Sequence, residues 1–159
     1  AASWAWVGWA FLHLRFAPIH WVANWYAVAF FLQALLLFIY GVSRRGMKFD
    51  TGNSVHAGIG VFFLLCALLA IPATAHLTGR EWMQAELFAM TPDATALATL
   101  GLLLLVKGHV AVWLMIIPVA WCFITGATLW ALEAPEALIL PAGAILTIVL
   151  MLMPVKQRG

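Results

Sequence analysis

The chain has 159 residues, of which 65% are apolar and only 9% are charged. Its net charge of +2 comes from basic residues that form no continuous stripe, which excludes a conventional nucleic-acid-binding surface. Apolar stretches at 25–42, 55–75 and 113–132 approach the roughly 20 residues that a helix needs to cross a bilayer. The composition therefore predicts an all-α, polytopic transmembrane protein, with the lipid bilayer as one of its partners.

The apolar stretches predict about six spans within a single transmembrane helical domain that covers residues 1–159. In chain order the predicted spans are Ala1–Leu14, a stretch from Trp21 or Trp25 to Gly41, Ser54–Ala75, Pro92–Val106, Val110–Leu132 and Ala137–Pro154. The first rises only about 21 Å as a helix, against a hydrocarbon core of about 30 Å. We therefore expect a truncated first span, and a sequence that is the C-terminal part of a longer chain.

The basic residues alternate between successive gaps, and this alternation predicts the topology. Arg44–Lys48, Lys107 and Lys156–Arg158 lie in every second gap, whereas Arg80–Asp93 and Glu133–Glu136 lie in the gaps between them. The positive-inside rule places the basic gaps in the cytoplasm. We expect a multi-pass protein of the bacterial inner membrane with both ends cytoplasmic.

Local signals refine the predicted spans. Thr91, Pro92 and Asp93 are typical of a helix start, with Thr as N-cap, Pro at the first helical position and Asp complementing the helix dipole. Pro118 predicts a kink in the fifth span. Small residues recur at helical spacing: Ala94, Ala98, Gly101, Gly126, Ala142 and Gly143. Either helices approach each other closely at these positions, or the small residues reflect the background composition of apolar helices.

Two histidines are weak candidates for a cofactor site. His56 and His109 both fall near predicted cytoplasmic span ends, and two imidazoles at one depth could ligate a haem. The favoured alternative is that they are hydrated interfacial residues, because no CxxCH, HExxH or paired-Cys motif accompanies them. No metal site and no cofactor are predicted.

A second group of ionisable residues falls on the predicted outer side. Arg15, His20, Glu86 and Asp93 could line an outer vestibule, with Arg15 paired to Glu86. The favoured alternative is a hydrogen-bonded cluster that closes the bundle. The sequence contains no GxSxG, P-loop or GxGxxG motif and no nucleophile–base pair, so no catalytic residue is predicted and we expect no enzymatic activity.

Several short segments carry a family resemblance: WAWVGWAF at 4–11, FAPIH at 16–20, LQALLL at 32–37, AELFAMTP at 85–92 and TLGLLLL at 99–105. In these segments, and along nearly all of its length, the chain resembles a family of bacterial integral membrane proteins known only as a domain of unknown function. The resemblance implies a helical membrane fold with further spans upstream. It implies no activity and no catalytic residues.

These observations leave three functional hypotheses. The first is a non-enzymatic accessory or structural subunit that packs against other membrane protein subunits. The second is a small-solute transporter or permease-like protein that uses the outer vestibule. The third is a haem- or quinone-binding redox subunit that uses His56 and His109.

Overall fold

The computed structural model describes residues 1–16, 21–42, 55–70, 91–106, 110–134 and 137–152. All of the elements that these residues form are helices, which confirms the all-α prediction. They are α1 (Ala2–Trp6, continued by the π-helical Val7–Phe16), α2 (Ala23–Val42), α3 (Val55–Leu65, continued by the π-helical Cys66–Ala70), α4 (Pro92–Leu104), α5 (Val110–Ala131) and α6 (Ile139–Leu152).

Each of the six helices falls within or close to one predicted span. The start of α4 at Pro92 and that of α5 at Val110 agree with the sequence. The end of α1 differs, because the helix continues through Arg15 to Phe16 instead of ending at Leu14. An Arg in a last helical turn can extend its charged group along the helix to water, so it need not end the helix.

The residues that motivated the predicted topology fall mostly outside the described ranges. These are Arg44, Arg45, Lys48, Arg80, Lys107, Glu136, Lys156 and Arg158. The sidedness of the chain therefore stays a prediction.

Helix α4 forms the centre of the bundle. All of its residues except Asp93 and Leu102 are buried, and it packs against α1, α3, α5 and α6. Its small side chains, which include Ala94 and Ala98, allow this crowding. The centre of the bundle is thus a helix with almost no lipid- or solvent-facing surface.

The closest backbone approach lies between α3 and α4. A Cβ atom added to Gly101 would lie 2.7 Å from the carbonyl oxygen of Gly60, and one added to Gly60 would lie 2.7 Å from that of Gly101. In the same way, a Cβ at Gly126 on α5 would overlap the ring of Pro141 on α6. Close helix approach is the correct interpretation at Gly101 and Gly126, whereas the sequence analysis did not identify Gly60.

Neighbouring helices run in opposite directions. Along α1 and α2, the Trp4 ring lies 4.4 Å from that of Phe30, whereas His13 bonds to Asn24, so the residue numbers run in opposite senses. The residue numbers of the contacts also run in opposite senses in three further pairs, which are therefore antiparallel: α2 with α5, α3 with α4, and α3 with α6. The described helices therefore alternate up and down. We call the two ends of this bundle the Asp93 end and the His56 end.

Candidate functional site

The interior polar side chains of the described residues mainly join one helix to another. The contacts between helices are Trp4–Thr99 (α1 to α4), Gln33–Leu114 (α2 to α5), His56–Leu150 (α3 to α6), and Asp93 with both Trp121 and Thr125 (α4 to α5). All involve donor–acceptor distances of 2.7–2.9 Å, which is normal hydrogen-bond geometry.

Asp93 is half-buried at the start of α4, and its carboxylate faces the neighbouring helix α5. Its Oδ1 atom accepts two hydrogen bonds, from the Trp121 indole Nε1 at 2.7 Å and from the Thr125 hydroxyl at 2.9 Å. The first turn of a helix also favours a negative charge, because unpaired N–H groups point toward it. With Oδ1 bonded to two donors on α5, Asp93 fastens α4 to α5, as the bundle-closing interpretation of this residue requires.

The sequence predicted the start of α4 in part. Thr91 is the N-cap residue and has extended backbone angles, φ −118° and ψ 149°, and Pro92 stands in the first turn as expected. The Thr91 side chain makes no capping bond to the helix. Instead, its carbonyl oxygen accepts the hydroxyl of Thr95 at 2.8 Å.

The other predicted vestibule residues are placed only in part. Arg15 is exposed at the C-terminal end of α1, which is the same end of the bundle as Asp93. His20 and Glu86 lie outside the described residues, so the Arg15–Glu86 pair stays a prediction. A contact that the sequence did not indicate occurs at this end: His13 Nδ1 donates to the side-chain oxygen of Asn24 at 3.0 Å and joins α1 to α2.

His56 is a helix-joining residue in this structure. Its Nε2 atom lies 2.8 Å from the Leu150 carbonyl oxygen, and because a carbonyl only accepts, Nε2 carries the proton and donates. A haem iron would therefore have to bind Nδ1 of this ring, or the bond to α6 would have to break. The proposed second ligand, His109, lies outside the described residues, so the pairing of the two histidines stays a prediction.

A proline explains why one backbone carbonyl accepts a side-chain bond. In a helix, the carbonyl of residue i accepts from the N–H of residue i+4, and proline has no N–H. Leu114 stands four residues before Pro118 within α5, and the Gln33 side chain of α2 donates to the carbonyl that Pro118 leaves without its helical partner. The Leu150 carbonyl, which His56 bonds, lies in the last turn of α6, where helix carbonyls have no intrahelical partner.

Gln33 supplies the donor for the Leu114 carbonyl from the middle of α2. Its side chain is fully buried, and Nε2 lies 2.8 Å from the Leu114 oxygen. Its Oε1 atom is buried and has no hydrogen-bond partner. The sequence analysis did not identify Gln33 as a candidate residue, although a single carboxamide in a long apolar run is a readable signal.

An aromatic cluster surrounds these bonds near the middle of the bundle. The rings of Trp4, Phe30, Trp121 and Tyr26 lie in succession, with Phe30 5.0 Å from Trp121 and Tyr26 5.4 Å from Trp121. The two indole N–H groups both donate to α4, to Thr99 and to Asp93. These rings therefore pack the interior, and each Trp also bonds to α4.

The described residues offer no cluster of ligands for a metal. Among them, no group of three or more His, Cys, Asp or Glu side chains could hold a metal ion. Cys122 is buried and Cys66 is half-buried, and both are free thiols. Both lie in apolar runs of the sequence, where a cysteine acts as a small apolar packing residue.

A comparison of the sequence with protein families gives a match along almost the whole chain. The sequence model of a family described as a family of unknown function, DUF6064, matches residues 1–158. The chain belongs to this family. No curated protein and no solved structure matches the chain. The expected membership in a family of unknown function is thus confirmed. The membrane location and the bacterial origin stay predictions.

The outer surface of this DUF6064 chain is strongly apolar. Two helices, Ala23–Val42 and Val112–Ala131, are long and apolar enough to cross a membrane, with mean hydropathies of 1.9 and 2.0. Only 22% and 28% of their apolar windows are buried inside the bundle. Large apolar side chains on these helices are therefore exposed, among them Val28, Phe31, Leu35, Phe38, Trp113, Ile116 and Trp130.

Proposed function

We propose that this protein is a multi-pass protein of the bacterial inner membrane that acts as a non-enzymatic accessory or structural subunit of a membrane complex. The membrane part rests on the exposed apolar surface of α2 and α5. A helix of equal hydropathy in the core of a soluble protein would be mostly buried, whereas only 22% and 28% of the two windows are buried here. Lipid is the surrounding in which such a surface is stable.

The ends of α5 supply a second argument for lipid. Trp113 and Trp130 are 68% and 67% exposed, and they lie about 26 Å apart along the helix at 1.5 Å per residue. Exposed tryptophans are enriched at the two membrane–water interfaces, and the hydrocarbon core between those interfaces is about 30 Å thick. The two indoles therefore suit the two borders of one bilayer.

The alternating directions of the described helices support six crossings. If α5 crosses the bilayer between Trp113 and Trp130, its antiparallel neighbours α2 and α6 cross in the opposite direction. The shorter helices α3 and α4 pack beside them and share their depth. With the predicted sidedness, the His56 end faces the cytoplasm and the Asp93 end faces outward.

The accessory role rests on the use of the interior polar groups. In this structure they join helices: Asp93 binds two donors on α5, and His56 and Gln33 each donate to a carbonyl on another helix. In lipid, such bonds hold helices together where burial of apolar surface contributes little. This use of polar residues as helix connectors is the observation that carries the proposal.

Two exposed indoles on α1 indicate where a partner would bind. Trp6 and Trp9 are 53% and 48% exposed, and their rings contact each other at 5.8 Å. Gly8 between them packs against Phe30 of α2, which places the pair near mid-depth and away from both borders of α5. An indole N–H in the hydrocarbon core has no acceptor, whereas a neighbouring subunit can supply one.

Photocrosslinking in native membranes tests the accessory role. A photoreactive phenylalanine analogue at Trp9 should form a protein adduct of defined mass. The same analogue at Phe62, which is 59% exposed on α3, serves as the matched lipid-facing control and should give lipid adducts only. A chain that forms no protein adduct at Trp9, and that leaves a mild detergent extraction as a monomer without a companion protein, would refute the accessory role.

A further inference from the structure

The carboxamide of Gln33 has a fixed orientation. The Leu114 carbonyl only accepts, so the NH₂ group must face it, and the oxygen must point the other way. A flip of the amide would bring two acceptors together. The bond from Nε2 to the Leu114 carbonyl therefore fixes the direction in which the buried acceptor Oε1 points.

The interior donors close to Gln33 are already engaged. The Trp4 indole N–H donates to the Thr99 hydroxyl, and that hydroxyl donates in turn to the Thr95 carbonyl at 2.7 Å. The Trp121 indole donates to Asp93. Among the described side chains, none of these donors is left for Oε1. A buried acceptor without a donor costs about 1–3 kcal/mol, which selects for an occupant that can donate.

The acceptors around Gln33 define the chemistry of that occupant. Oε1 is one acceptor, and the Leu114 carbonyl retains a second lone pair after it accepts Nε2. A small molecule that can donate a hydrogen matches Oε1, because Gln33, Phe30 and Leu114 are all fully buried.

We propose that the Gln33 carboxamide oxygen accepts a hydrogen bond from one buried water molecule, beside the break in backbone bonding that Pro118 creates. Buried waters typically make two to four hydrogen bonds to such otherwise unpaired groups. The site depends only on the interior of the bundle, so it holds whether or not the accessory role is correct.

Water-edited NMR on the full chain in lipid bilayers tests this site. The protein carries ¹³C and ¹⁵N in glutamine only, and the Gln33 side-chain signal is assigned by its absence in Gln33→Met. Magnetisation from water should reach the Gln33 side-chain amide early. A sample labelled in alanine provides the control, and the backbone amide of Ala34, which is buried one residue away, should receive magnetisation much later.

Isotope-edited infrared spectroscopy on the wild-type chain provides the second readout and does not depend on the folding of any variant. The amide I band of Gln33 labelled at its carboxamide carbon should show the lower frequency of a hydrogen-bonded carbonyl. A band at the frequency of a free carbonyl would overturn the proposal. A bonded carbonyl without early water transfer would overturn it too, because the donor would then be something other than water.

Discussion

The bond between Gln33 and Leu114 should be coupled energetically to Pro118, and a double-mutant cycle measures that coupling. Gln33→Met removes the side-chain donor with little change in shape, and it leaves the buried Leu114 carbonyl unpaired. An unpaired buried acceptor costs about 1–3 kcal/mol. In a Pro118→Ala background, the new N–H at position 118 can bond that carbonyl within α5. We therefore expect Gln33→Met to cost about 1–2 kcal/mol less in this background.

Reversible unfolding in mixed micelles by SDS titration, followed by Trp fluorescence, gives the four stabilities of the cycle. Non-interacting sites are additive within about 0.3–0.5 kcal/mol, so the expected coupling stands clear of that limit. A control cycle combines Gln33→Met with Ala142→Ser, a change on α6 that leaves Pro118 intact. In this control, the two changes should be additive. If Gln33→Met costs the same with proline and with alanine at position 118, Gln33 does not compensate for the missing backbone bond.

Three further predictions concern packing, the Asp93 carboxylate and topology. Gly101→Ala should destabilise the bundle by about 1–3 kcal/mol in the same SDS titration, because the new Cβ would lie 2.7 Å from a backbone oxygen. Gly58→Ala is the matched control: its Cβ would have no neighbour within 4 Å, so the change should be neutral or stabilising. Asp93→Ala should lower the free energy of unfolding by about 1–3 kcal/mol, because it leaves the two donors on α5 unpaired. Asp93→Asn keeps one acceptor oxygen and should cost less. Equal losses in the two variants would contradict the hydrogen-bonding role. Reporter fusions at Lys48 and Glu133 should report opposite sides of the membrane, and the same side for both would refute the six-span topology.

Most helix positions follow from the pattern of apolar residues in the sequence. Apolar runs of suitable length, broken by polar gaps, predict the helices to within a few residues, and the Pro92 start of α4 is confirmed. The end of α1 was misjudged at Arg15, where a charged residue was taken as a turn. Hydropathy thus predicts that a helix is present more reliably than it predicts where the helix ends.

The rotation of each helix is less readable, and the site depends on it. Of the three tryptophans in α1, Trp4 is 1% exposed and packs inward, whereas Trp6 and Trp9 are 53% and 48% exposed and their rings contact each other. The sequence did not indicate which one is buried. In a chain that is apolar on nearly every face, no strong polar stripe marks the inward side of a helix.

Asp93 also shows that the sequence does not indicate how each helix is rotated. An ionisable residue at a helix start is visible in the sequence as a candidate. Its partners Trp121 and Thr125 lie on another helix and are themselves unremarkable in an apolar run. Only the relative rotation of α4 and α5 brings the three together, and no local pattern encodes that rotation.

Proline positions offer a route by which part of this information could be read. A proline inside a helix leaves the carbonyl four residues earlier without its usual partner, and in lipid that carbonyl needs another donor. Such a proline therefore predicts a donor side chain on a neighbouring helix at the same depth. Gln33 is such a donor, for the carbonyl four residues before Pro118. Because such a pairing links two helices at a defined depth, prolines and isolated polar residues taken together constrain helix register, which hydropathy alone leaves open.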